Sequence, residues 1–187
     1  MFRHKNKQRA SERATEYANC KDFQQIFTED MVGLHRLAFL LTADQAKAEQ
    51  CFVAGLDDSI HGNPVFRQWA RAWSKRAIIH NAIKMIAPVP SRSSEVVSDE
   101  NLQGGTPDDT AAKIAAWAPF ERFVFVMAVL EGYSLRECST LLAGPVQDVI
   151  AAKSAALQKV TAQPWHDSAT PQLDAIPWHG FARAQVA

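Results

Sequence analysis

Residues 117–153 read WAPFERFVFVMAVLEGYSLRECSTLLAGPVQDVIAAK, and this stretch decides how the chain is read. Pro119 suits the first turn of a helix, where its missing N–H has no intrahelical partner to lose. Phe123, Val124, Val126, Met127 and Leu130 supply that helix's apolar face, and Gly132 ends it. Ser134-Leu135-Arg136-Glu137 then has the S-x-x-E form of a capping box, in which hydroxyl and carboxylate satisfy each other's free backbone amides. The short helix behind it ends at Leu142, Ala143-Gly144 make a turn, and Pro145 opens a last helix running to about Val160. Two helices joined by so tight a turn form either a helix-turn-helix or a plain αα-hairpin.

Upstream, Phe23, Phe27, Met31, Leu34, Leu37, Ala38 and Leu41 recur three or four apart, which predicts one amphipathic helix over 23–41. Asp44 is placed to cap a second helix over 45–59 that buries Ala48, Cys51, Phe52 and Leu56. His61-Gly62-Asn63-Pro64 is a turn, and a third helix over 65–86 is expected to bury Phe66, Trp69, Trp73, Ala77 and Ile83. Residues 87–110, APVPSRSSEVVSDENLQGGTPDDT, lose the apolar period and read as a flexible linker. The expected fold is therefore all-α: two small helical domains joined by that linker, the second a helix-turn-helix. The divisions are a basic extension over 1–21, a first domain over 22–86, a linker over 87–112, a second domain over 113–160 and a tail over 161–187. The tail carries Trp165, Trp178 and Phe181 among three prolines, a composition that predicts docking onto a surface, with the second domain as the expected one.

Composition bounds the function. The 187 residues are 47% hydrophobic and 21% charged, ordinary globular usage. The longest apolar run, Phe123 to Leu130, falls far short of the roughly 20 residues a membrane span needs. The N-terminus has no apolar core behind its charges, so no secretory signal is read there. Three widely spaced cysteines, Cys20, Cys51 and Cys138, argue against a disulfide framework and predict a cytoplasmic location. The formal net charge is zero, yet residues 65–86 hold Arg67, Arg71, Lys75, Arg76 and Lys84 with no acid, whereas 22–60 hold seven acids and two bases. Such patterning predicts faces with different partners.

Nothing in the chain points to catalysis. The six histidines and three cysteines lack metal-ligand spacing, and no nucleophile elbow or phosphate-binding glycine loop is present. Asp57-Asp58 and Asp108-Asp109 read as solvated pairs, and His80 as an ordinary helix-face histidine. No enzyme activity, cofactor or metal is expected.

The two segments, in this order and with this linker between them, resemble a sigma-70-type RNA polymerase sigma factor of the small extracytoplasmic-function class. Residues 22–86 resemble its region 2. Residues 115–160 resemble its region 4 through the proline, arginine and V-F-V of Pro119 to Val126, the E-G-x-S of Glu131 to Ser134, and Pro145-Val146 at the start of the last helix. The resemblance implies a protein of transcription initiation with core RNA polymerase and promoter DNA as partners, an anti-sigma protein as a further one, and no membrane. In such factors the second helix of the first domain docks on the polymerase, which assigns Gln50, Val53, Leu56 and Asp57 to that contact. The third helix melts one promoter element and reads it as single strand, which assigns Arg67, Trp69, Arg71, Trp73, Lys75 and Arg76 to DNA. Basic residues interleaved with aromatics suit phosphates and unstacked bases, although the same tryptophans also suit a core and the same stripe a solvated face. In the helix-turn-helix the resemblance assigns Ser134, Arg136, Gln147 and Lys153 to DNA. Where the family places several lysines and arginines on the recognition helix, this chain has Ile150, Ala151, Ala152, Ala155 and Leu157, with Asp148 near its start. That smooth surface carries the alternative reading, a sigma-derived interaction module that no longer reads promoters.

Overall fold

The computed structural model describes residues 16–90 and 109–162. The chain is all-α. In order come α1 (Cys20–Glu29), α2 (Met31–Thr42), α3 (Gln45–His61), a 3-10 turn (Arg67–Trp69), α4 (Ala70–Ile86), α5 (Asp109–Ala115), α6 (Pro119–Phe125), a π-turn (Val126–Leu130), α7 (Leu135–Leu141) and α8 (Val146–Ala162). No β-strand occurs among the described residues, only an isolated bridge between Tyr17 and Phe66. The basic extension over 1–15 and the tail over 163–187 lie outside the described residues, as do residues 91–108 of the expected linker.

Local sequence accounts for most helix ends. Asn19 and Asp22 form a capping box at α1, and the Asp44 carboxylate accepts from the Lys47 amide at 2.9 Å. Ser134 and Glu137 form the second box, with the Ser134 amide donating to Glu137 Oε2 at 2.8 Å and the Glu137 amide to Ser134 Oγ at 3.2 Å. Three helices close on left-handed alanines: Ala43 after α2, Ala87 after α4 and Ala143 two residues beyond α7, with φ of 55°, 48° and 50°. The turn before α8 therefore places its strain on Ala143 rather than on the adjoining Gly144.

Three expectations are corrected. The helix predicted over 23–41 is broken at Asp30, whose φ of −109° and ψ of 26° are not helical. A short carboxylate tolerates that backbone, it reaches Arg71 at 3.3 Å, and Gly33 in the next turn weakens helix propensity. The break turns Met31 out to 55% exposure, although spacing assigns it to the apolar face. The helix predicted over 65–86 opens with the 3-10 turn, and Trp69 on that turn is 56% exposed instead of buried. Finally, α5 begins inside the segment read as linker, because Ala111 and Ile114 bury against α2.

The two segments share one core. A single cluster of buried side chains runs from Leu34, Leu41 and Ile78 to Phe123, Met127 and Val149. Within the first segment, α3 and α4 approach so closely that a Cβ at Gly55 would lie 2.7 Å from Ile78 Cγ1, so only glycine fits. Beside that crossing, the Cys51 thiol donates to the Ile78 carbonyl at 3.1 Å, and burial pushes its pKa up to about 12.

Arg122 on α6 ties the segments together. The residue is 4% exposed. Nε and Nη2 donate to the Leu41 carbonyl in the last turn of α2 at 3.3 and 3.2 Å. Nη1 donates to the carbonyls of Ala115, the last residue of α5, and of Trp117, at 2.8 and 2.9 Å. Burial lowers its pKa to about 10, which still leaves it charged at neutral pH. The electronegative carbonyl ends of two helices thus stand where a counter-carboxylate would otherwise be needed. Removing the guanidinium leaves one buried and two part-buried carbonyls short of donors, at about 1–3 kcal/mol for a buried group and less for a part-buried one. Arg122→Met should therefore lower the unfolding free energy in urea by roughly 3 kcal/mol or more, and Arg122→Lys should recover only part, since one ammonium cannot span both sides. A loss below about 1 kcal/mol would contradict this role.

Candidate functional site

The basic stripe and the tryptophans predicted to bind DNA come together at the 3-10 turn and the first half of α4. Trp69, Trp73, Lys75 and Arg76 form one wall of a cleft of about 800 Å³ between the two segments, whereas Arg67 and Arg71 lie outside its lining. Phe66, Trp69, Trp73, Lys75 and Arg76 line it from the first segment, and Glu131, Tyr133 and Glu137 from the second. Phe66 is the hinge of the aromatic wall. It stacks on Tyr17 with ring centroids 4.7 Å apart and takes Trp69 edge-on at 5.3 Å. The exposed Trp69 indole is thus held on one side by Phe66 while its other surface faces solvent. Trp73 is half-buried, and its Nε1 is buried without a hydrogen-bond partner among the described residues.

The cations of the stripe are largely answered within the chain. Arg67 pairs with Asp22 at 3.1 Å. Arg71 pairs with Glu29 and with Asp30, both at 3.3 Å. Lys75 pairs with Glu131 at 2.8 Å and so reaches across from the first segment to the second. Arg76 makes no ion pair within 4 Å among the described residues. Its charge acts on Glu137, whose carboxylate is held below its usual range first by the Ser134 hydroxyl and backbone amide and then by Arg76. Tyr133 beside it is pushed up chiefly by burial.

These pairs differ in strength. The Arg67 and Arg71 side chains are each half exposed, and such surface pairs contribute about 0.2–1 kcal/mol and are screened by salt. The Glu131 side chain is only 16% exposed, and Lys75–Glu131 also fixes the relation of two elements, so it is the firmer contact.

The remaining sequence-assigned residues are scattered. On α3, Gln50, Val53 and Asp57 face outward, with Val53 65% exposed and Asp57 paired to His61 at 2.9 Å. Leu56 turns inward and packs on the core. In the second segment Ser134 is occupied by its cap, Arg136 and Gln147 are exposed, and Lys153 is half-buried. The outward side of α8 carries Val146, Ile150 and Leu157, each about two-fifths exposed. This side of α8 therefore presents an apolar rather than a cationic surface.

Sequence reasoning missed Glu131, Tyr133 and Glu137 as members of the site, and Asp22, Glu29 and Asp30 as partners of the stripe. The acids were visible as the negative segment ahead of it. Nothing local says that residue 131 meets residue 75, because that meeting follows from the packing of α6 on α2.

Reversing one charge of the cross-segment pair gives a direct check. Lys75→Glu should lower stability by about 1 kcal/mol, Lys75→Glu with Glu131→Lys should restore most of it, and the coupling should shrink as salt is raised. Additive losses in urea unfolding, with no coupling, would mean the pair holds nothing together.

No family model, no curated protein and no solved structure matches this chain.

Proposed function

We propose that this protein is a sigma-factor-like component of transcription initiation, which engages core RNA polymerase through the outward face of α3 and single-stranded promoter DNA through the cleft. The observation that carries this reading is the wall on which exposed Trp69, half-buried Trp73, Lys75 and Arg76 stand side by side. Base stacking on an aromatic platform contributes about 1–3 kcal/mol per base, and cations beside it take the phosphates. Arg67 and Arg71 extend the same surface, and their weak carboxylate partners yield readily to a polyanion. On this reading the arrangement with Lys75 on Glu131 is a closed form, and DNA competes with Glu131 for Lys75. The apolar surface of α8 supplies little base recognition, so affinity rests on the first segment.

The second reading, a sigma-derived module that binds proteins and leaves DNA alone, draws on the same ion pairs. Three of the stripe's four cations have carboxylate partners, and α8 offers Val146, Ile150 and Leu157 instead of bases.

One triple substitution separates the two. Replacing Arg67, Arg71 and Lys75 together by alanine should leave binding to core polymerase intact and abolish promoter-dependent transcription. It should also reduce the salt slope of single-strand binding by about 2, at roughly 0.7 for each phosphate no longer neutralised. Unchanged transcription and slope would overturn the promoter reading in favour of the protein-binding one, and failure of the unsubstituted protein to bind core polymerase would overturn the sigma reading itself.

A further inference from the structure

On the face of the junction near the end of α8, a second groove of about 430 Å³ runs between α2, α5, the π-turn and α8. Leu37 and Leu40 line it from α2, Ile114 from α5, Val126 and Leu130 from the π-turn, and Val160 from α8. Leu130 is 48% exposed there, an unusual state for a leucine whose neighbours Val126 and Met127 are fully buried. The rim holds two charges, Glu131, already held by Lys75, and Arg36, which makes no ion pair among the described residues.

We propose that this groove is the seat of Trp165, so that the segment after α8 folds back and clasps the two halves of the chain together. The path of the chain selects the occupant. Helix α8 ends at Ala162, two residues after the groove-lining Val160, and Pro164 prevents the helix from continuing. Trp165 is the third residue beyond the helix, within a reach of about 10 Å at roughly 3.3 Å per extended residue. Trp178 and Phe181 are separated from the groove by many more residues and are not constrained to it. An indole buries about 150–250 Å² of surface and suits a groove with apolar walls. Asp167, two residues further on, is the first acid after the helix and complements Arg36 at the rim. The seat lies at the junction of the two segments rather than on the second segment alone, and it does not depend on what the large cleft binds.

The test is amide hydrogen exchange on the full chain, comparing it with Trp165→Ala and Trp178→Ala. With Trp165→Ala, exchange in α5 and in residues 126–131 should quicken by about tenfold or more, while Trp178→Ala leaves both segments unchanged. Leu130→Asp should reproduce the effect from the groove side, and combining it with Trp165→Ala should add nothing further. Equal exchange in the parent and Trp165→Ala would overturn the proposal. So would protection that changes over about a hundredfold range of protein concentration, because the groove would then be covered by a second copy of the chain.

Discussion

A buried cation with no carboxylate partner among the described residues organises this molecule. Among the described residues the Arg122 guanidinium is satisfied by backbone carbonyls, and those carbonyls belong to the ends of α2 and α5 and to the turn before α6. Its planar fork suits the task, since Nε and Nη2 can share one oxygen while Nη1 holds two others on the opposite side. Desolvating such a charge is unfavourable, so the arrangement persists only while all three carbonyls stay in place. That makes Arg122 a constraint on the relation of the two segments rather than one more core contact. Once α6 is fixed against the end of α2, Phe123 and Met127 enter the same core as Leu34 and Leu41.

The cleft is a consequence of that docking. With α6 and the π-turn set against α2, Glu131 arrives over Lys75, and Tyr133 and Glu137 face the tryptophan wall. Two kinds of interaction then meet in one place. Arg67 and Arg71 are themselves half exposed and meet their carboxylates at 3.1 to 3.3 Å, whereas Lys75 meets Glu131 at 2.8 Å across the junction. On the proposed reading, single-stranded DNA would displace the outer acids first and meet its main resistance at Lys75. The surface thus combines access with a closing contact.

Much of the fold was legible from local rules. The capping box at Ser134 and Glu137, the Asp44 cap and the apolar spacing of the helices each follow from a few neighbouring residues. The failures share a cause. Periodicity carries the first helix through Asp30 and buries Met31 and Trp69, because spacing alone does not register a carboxylate that prefers a non-helical backbone and an arginine partner. Trp69 leaves its predicted face because the helix begins as a 3-10 turn. Arg122 was visible only as one residue of a family-like motif, and the ends of two distant helices had to converge before its burial could be understood. For the candidate site, the basic and aromatic wall was readable from spacing. The opposing wall was not, since it lies some 56 positions away in sequence and is brought there by the arginine junction.

The most direct measurement of that junction is native-state amide hydrogen exchange of the full chain by mass spectrometry, under conditions where reclosing is slow enough to resolve opening events. If Arg122 joins the segments as described, α2 and α6 should exchange in one correlated step and with the same free energy of opening. Independent exchange, with α6–α8 opening while α2–α4 stays protected, would contradict the claim that one buried guanidinium makes a single unit of the two.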